Sequence, residues 1–282
     1  MLITVYIPTK NRAALLAQAI DSVRAQTLPD WELIVVDDGS SDDTPQMLAA
    51  LAVQEPRLRV ITHAQSQGGP AARNAAILAG RGDFVTGLDD DDAFRPDRLQ
   101  RFAEARLEHQ RLGRTPSGLY SQLNVMVDGR RVGVTRKPAV ARYDEMFREN
   151  VVGNQIFAPR EHYLGAGLFR ADLPAWQDIE FFMRMLQRYG PARLVDAATY
   201  DWDNSPRADR VSLKAERKLR QAFDTVRSAH GGRGARQQQQ LFLQLFGRFY
   251  GIRPTLDDWR AFLGLGLWPQ GIVRLLRTQF VR

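Results

Sequence analysis

Hydrophobic positions in the first third of the chain follow two different periods. Ile3-Thr4-Val5-Tyr6-Ile7 is a β-branched and aromatic run closed by Pro8, and Leu33-Ile34-Val35-Val36 is a second unbroken apolar run. Continuous rather than alternating apolar stretches predict strands covered on both faces. Leu58-Arg59-Val60-Ile61 and Phe84-Val85-Thr86-Gly87-Leu88 predict the third and fourth strands. Between them, Leu15, Leu16, Ala19, Ile20 and Val23 recur at helical spacing, and residues 69–78 read as a helix. Ser41-Asp42-Asp43-Thr44-Pro45 supplies capping side chains and a first-turn proline for another helix. Strands alternating with helices predict an α/β fold with a doubly wound, mostly parallel sheet and a ligand site at the strand C-terminal ends.

Past a helix predicted over 96–112 the pattern changes. Residues 120–127, the Asp128-Gly129 turn and residues 131–135 predict an antiparallel hairpin. Residues 155–158 suggest a further strand, and Ile179, Phe182, Met183 and Leu186 mark an amphipathic helix. A basic helix over 211–230 is followed by Gly231-Gly232-Arg233-Gly234, a candidate linker. Leu241, Phe242, Leu245, Phe246 and Phe249 then form an apolar helical stripe, and Leu263, Leu265, Leu267 and Trp268 add bulk. The pattern divides the chain into a body over 1–205 and a basic helical C-terminal extension over 206–282, with no internal repeat.

Composition narrows the classes further. With 44% hydrophobic and 25% charged residues in 282, the chain is neither disordered nor fibrous. It has no cysteine, which removes disulfides, thiolate metal sites and a Cys nucleophile, and fits a cytoplasmic location. Only four histidines are present, which argues against a His-rich zinc site. The N-terminal MLITVYIPTKNR lacks a basic n-region and a cleavage site, and no run of about 18 apolar residues predicts a membrane span. The net charge of +7 is concentrated late: from residue 231 onward there are eight Arg against Asp257 and Asp258. The body is nearly neutral.

Two acidic clusters carry the candidate chemistry: Val36-Asp37-Asp38-Gly39-Ser40-Ser41 and Leu88-Asp89-Asp90-Asp91-Asp92, each directly after a predicted buried strand. Four consecutive carboxylates need a counter-charge, which a divalent cation carrying a diphosphate supplies. With IPTKNR, VVDDGSSDDT, GGPAARNAAI, FVTGLDDDD followed by PDRL, and WQDIEFFMRM in this order, residues 3–189 resemble glycosyltransferase family 2. These are GT-A-fold enzymes that move a sugar from a nucleoside diphosphate to an acceptor.

The resemblance implies roles residue by residue. Pro8, Thr9 and Asn11 match the loop lining the nucleoside pocket, and Asp38 the acid that accepts from the base, typically uracil. Arg73 and Asn74 match the segment approaching diphosphate and ribose. Asp89-Asp90-Asp91 occupies the DXD position, with Asp91 the ligand of Mg²⁺ or Mn²⁺ and Asp89 or Asp90 meeting ribose or a metal-bound water. Asp178 matches the catalytic base, although Gln177 stands where the family usually has Glu. The implied reaction is a non-processive, inverting transfer from a nucleotide-sugar donor, UDP-linked by family habit, to a glycan or lipid-linked acceptor in bacterial surface polysaccharide synthesis.

From the residues themselves, Arg184 is either a second phosphate contact or a partner of Asp178 or Glu180 on its own helix. Asp178 is alternatively a helix cap. Trp176 is either an acceptor-side stacking surface or core, and His162 an acceptor-side candidate, while His63, His109 and His230 read as surface or loop residues. Asp201-Trp202-Asp203-Asn204-Ser205 is a candidate lid. The basic tail suits either an anionic membrane surface at the inner face of the cell membrane or packing against the body or a dimer partner; nucleic acid is not an expected partner. The rival readings are a sugar-nucleotide nucleotidyltransferase, which lacks its Gly-rich loop here, and an inactive carbohydrate-binding scaffold, which would not need both Asp91 and Asp178.

Overall fold

A computed structural model describes residues 1–206, 216–231, 234–247 and 250–280. The elements run β1 (Ile3–Thr9), α1 (Ala13–Arg24), β2 (Trp31–Asp37), α2 (Thr44–Gln54), β3 (Leu58–Thr62), α3 (Gly69–Ala79), β4 (Phe84–Gly87), β5 (Ala93–Phe94), α4 (Arg98–Arg111), β6 (Leu119–Val127), β7 (Arg130–Val134), β8 (Val140–Ala141), β9 (Ala158–Pro159), α5 (Arg160–Gly165), α6 (Gln177–Tyr189), β10 (Ala192–Asp203), α7 (Glu216–His230), α8 (Ala235–Gln244), α9 (Leu256–Gly264) and α10 (Pro269–Phe280). A 3-10 turn over Tyr143–Phe147 lies between β8 and β9.

One sheet has the order β3-β2-β1-β4-β9, parallel except for β9. The unbroken apolar runs arise because both of its faces are covered. Ile3, Val5, Ile7, Leu33 and Val35 face a core with Leu16, Ile20 and Leu99, whereas Tyr6, Ile34 and Val36 face one with Ala72, Ala76 and Phe181. β1 pairs with both β2 and β4, Thr9 opposite Asp37 and Tyr6 opposite Gly87, so both acidic clusters emerge at one end of the sheet.

A second sheet has the order β5-β10-β6-β7, with β8 on β10. The hairpin of β6 and β7 forms as predicted. β10 was not predicted. Its twelve residues carry register shifts between Val195 and Ala198 and between Ala198 and Tyr200, which erase the period-2 signal that marks a strand. The strand suggested at 155–158 shortens to β9.

The extension folds back onto the body. Leu241, Phe242, Leu243, Leu245, Phe246, Ile252, Phe262 and Leu275 are buried in the same core as Trp176, Ile179 and Phe182. At roughly 1.5–3 kcal/mol each these eight side chains represent about 12–24 kcal/mol of gross burial, which holds the stripe in the protein interior. Polar ties add direction: Gln244 Nε2 donates to the Met146 and Phe147 carbonyls, both at 2.8 Å, and Arg220 grips Asp258 at 2.6 and 2.9 Å. Phe249, Gly232, Arg233 and the predicted helix start at 211–215 lie outside the described residues. Among the described residues no helix is long and apolar enough to cross a membrane.

Candidate active site

A cleft of about 770 Å³ opens where β1, β2 and β4 end, walled on its far side by the start of α6 and by α7 and Tyr250 of the extension. Pro8, Thr9, Asn11, Asp38, Arg73, Asp89, Asp90, Asp91, Trp176 and Asp178 all line it. Asn74 and His162 do not. The Asn74 amide is engaged at both ends by the Phe169 backbone, at 2.7 and 2.9 Å, and so tethers the segment bearing Phe169. His162 bonds the Ser117 carbonyl and stacks on Tyr189.

The first loop is built by local rules. Asn11 sits at φ 54, a left-handed conformation that Asn tolerates. Its N–H donates to Ser40 Oγ (2.8 Å) and its Oδ1 accepts from the Ser41 N–H (2.7 Å), joining the loops after β1 and β2. Behind it, Asp38 receives four bonds of 2.6–2.8 Å, from His63 Nδ1, Ser66 Oγ and the Gln67 and Gly68 N–H groups. Burial works to raise its pKa, but those four donors outweigh burial and pull it down to about 2. His63 lies in the loop after β3, as read, but there it is a partner of Asp38 and not an exposed surface residue.

The four aspartates are individually satisfied. Asp89 accepts from Arg73 Nη2 (3.0 Å) and Gln155 Nε2 (3.2 Å); Asp90 from Thr9 Oγ1 and Arg12 Nη1, both at 2.8 Å. Asp91 lies 3.3 Å from the same Arg12 nitrogen. Asp92 accepts from Tyr200 Oη (2.6 Å) and the Asp203 N–H (2.8 Å), and burial with its acidic neighbours raises its pKa well above the usual range. Asp89 and Asp91 are the more open to the cleft, with side chains 28% and 19% exposed against 9% for Asp90.

Among the described residues no group of three or more His, Cys, Asp or Glu is placed to hold a metal. The all-oxygen donors of Asp91 and Asp89 nonetheless suit a hard divalent cation that takes its remaining ligands from a diphosphate and water. The residues fit such an ion on that condition.

Across the cleft, α6 opens at Gln177 after Trp176, which is held left-handed at φ 55. Asp178 is thus in the first helical turn and not its cap. Its Oδ2 accepts from Asn150 Nδ2 at 2.8 Å; burial raises its pKa, opposed by the Ile179 N–H and by Arg73. Arg73 spans the site, meeting Asp89 and, at 3.2 Å, Gln177 Oε1. Trp176 is buried, edge-on to Phe223, and its Nε1 donates to Tyr250 Oη at 2.9 Å. Asp178 and burial together push Tyr250 up to about 12, burial being the larger cause.

Other expectations resolve differently. Arg184 is engaged by Glu180 at 2.7 and 2.8 Å and by the Ala166 and Leu168 carbonyls, so the same-helix partner prevails over a phosphate contact. His230 is buried against Tyr143 and Glu180, and His109 is partly buried. Of the candidate lid, Asp201, Trp202 and Asp203 end β10, with Asp201 held by Asn124 and with Trp202 and Asp203 lining the cleft, while Asn204 and Ser205 follow outside the strand. The sequence reading missed Arg12, Asn150, Asn154, Gln155, Tyr200 and Tyr250. Arg12 lay inside a motif already noticed; the rest carry no local signal, because only the fold brings them to the aspartates.

Residues 4–149 match the family model of glycosyl transferase family 2. The chain is 31% identical over 277 residues to "Putative colanic acid biosynthesis glycosyl transferase WcaA" of Escherichia coli (strain K12), covering 94% of this chain and 92% of that one. It is 27% identical over 152 residues to the E. coli UDP-Glc:alpha-D-GlcNAc-diphosphoundecaprenol beta-1,3-glucosyltransferase WfgD, covering 54% of this chain and 57% of the relative. The fold matches S. aureus TarS 1-349 in complex with UDP-GlcNAc with a TM-score of 0.70 at 19% identity, over 99% of this chain and 83% of that one.

Proposed function

Because the chain belongs to glycosyl transferase family 2, we propose that its cleft performs an inverting, single-step transfer from a UDP-linked sugar to a hydroxyl of a glycan or lipid-linked acceptor. The observation that carries this reading is the placement of a partly buried carboxylate, Asp178, across the cleft from an acidic cluster, with Arg73 between them.

The nucleoside lies along the loop of Pro8, Thr9 and Asn11. Asp38 gives that pocket its floor by fixing residues 63–68. Arg73 meets the diphosphate, whose leaving oxygen gains negative charge as the anomeric bond breaks. Asp91 is the protein's ligand for Mg²⁺ or Mn²⁺, which when bound supplies Lewis-acid stabilisation of that charge. Asp178 accepts the proton of the attacking hydroxyl, and burial, the largest influence on it, raises its pKa and with it its basicity. Trp176 forms the acceptor-side wall. Inversion is supported by the β-1,3 linkage in the WfgD name, and the polysaccharide setting by the colanic acid name of the first relative.

A lipid-linked acceptor would bring the enzyme to a membrane surface. Exposed Leu263, Leu267, Val273 and Leu276 beside Arg260, Arg274 and Arg277 are the surface proposed to meet anionic lipid. Calorimetric titration with UDP, dTDP and GDP, each with Mn²⁺ and with EDTA, tests the donor half. Metal-dependent binding of UDP alone is expected, and absence of any nucleotide binding by folded protein refutes it. Asp178→Asn should bind donor normally and lose turnover by about 10²–10⁴-fold, the usual worth of a positioned base.

A further inference from the structure

The segment leading into β9 presents three side-chain amides to three carboxylates of the cleft. Asn150 Nδ2 reaches Asp178 Oδ2 (2.8 Å), Asn154 Nδ2 reaches Asp92 Oδ2 (3.4 Å) and Gln155 Nε2 reaches Asp89 Oδ1 (3.2 Å). Gln155 is oriented by its Oε1, which accepts from Tyr6 Oη at 3.0 Å, and Asn150 by its own turn. Asn150 Oδ1 accepts from the Gly153 N–H at 3.0 Å, so the amide cannot flip, and its second Nδ2 hydrogen goes to the Gly153 carbonyl at 3.0 Å. Gly153 adopts φ +93 to close this turn. The turn is anchored from below by Lys137, whose buried Nζ donates to the Val152 and Ser121 carbonyls at 2.8 and 2.9 Å.

We infer that Asn150 is a positioning residue for Asp178, holding one carboxylate oxygen so that the group keeps a single orientation and its charged form between turnovers. This rests on Asp178 being the base. The chemistry favours an amide here. A locked Nδ2 can only donate, and a donor stabilises a carboxylate over a carboxylic acid without adding a charge that would bind the diphosphate. The groups facing Asp178 from other elements are Arg73 of α3, Asp89 after β4, Tyr6 of β1 and Tyr250 of the extension. Arg73 is shared with Asp89 and Gln177, which leaves Asn150 as a neutral donor dedicated to Asp178 and its own turn.

The test is the titration midpoint of Asp178 in full-length protein carrying ¹³Cγ-labelled aspartate, read by NMR in EDTA and assigned by loss of the signal in Asp178→Asn. Asn150→Ala should raise the midpoint by about 1 pH unit, the expected worth of a hydrogen bond to a charged group. The acid limb of the pH–kcat profile should move by the same amount. Asn154→Ala, in the same segment but on Asp92, should move neither, and Asn150→Ser should restore part of the shift. An unmoved midpoint in Asn150→Ala overturns the inference, as does an equal shift in Asn154→Ala, which would make the effect one of segment folding. If instead Asp178→Asn turns over at the wild-type rate, the base reading fails, and Asn150 loses its role whatever the midpoint does.

Discussion

Replacing Asp38 by asparagine keeps its size and removes its charge, and the structure fixes what that should cost. The carboxylate accepts from Ser66, His63 and two backbone N–H groups, and together they outweigh burial and hold its pKa near 2. An aspartate in the unfolded chain titrates at about 3.9, so the folded state favours the charged form by roughly 2–3 kcal/mol. Because the folded value is the lower one, this stabilisation is complete above about pH 5 and disappears as pH falls toward about 2. Asparagine forfeits it at every pH and turns an NH₂ toward two of the four donors. In urea titrations at pH 7 the variant should lose about 2–3 kcal/mol, seen as a lower midpoint at unchanged slope. The gap to wild type should narrow in the acid range. UDP affinity should fall only as far as the 63–68 loop loosens. A variant within about 0.5 kcal/mol of wild type that nevertheless cannot bind UDP would refute this account and make Asp38 a direct reader of the base.

Three further outcomes are expected. Gly87→Ala drives a methyl group into Gln155 Oε1 and the Tyr6 ring, and thermal melts should show about 1–3 kcal/mol of destabilisation; an unchanged Tm would mean that β4 yields more easily than its burial implies. Asp91→Ala should abolish the enhancement of UDP binding by Mn²⁺ while leaving the affinity in EDTA intact, and persistence of the enhancement would move the metal ligand elsewhere. Ending the chain after residue 230 strips eight buried apolar side chains from the shared core, so the fragment should not melt cooperatively; a soluble 1–230 with a sharp transition would show that the core closes without α8–α10.

The parallel sheet and its acidic end were legible because the information is local. Each strand of β1, β2 and β4 is an apolar run buried on both faces, and each cluster follows its strand without a gap. The partners of those aspartates were not legible. Asn150 lies 28 residues from Asp178, Tyr200 lies 108 from Asp92, and Gln155 lies 66 from Asp89; nothing in the intervening sequence encodes the approach. β10 was hidden by its own irregularity, and with it Tyr200, which braces Asp92. The histidines show the opposite error: His63 and His230 look unremarkable in sequence because their partners, Asp38 and Tyr143, are 25 and 87 residues away.

The hydrogen bond from Trp176 to Tyr250 has a consequence in time. Its two ends are 74 residues apart, and Tyr250 and Leu219 both form part of the cleft wall. During synthesis the sheet, the acidic cluster and Asp178 all leave the ribosome before that wall exists. A nascent chain that has not yet released Tyr250 therefore lacks both this wall and the apolar side chains that complete the shared core, and the cleft is finished late, with the segment around Tyr250. Activity is in this sense a report on completed folding of the whole chain.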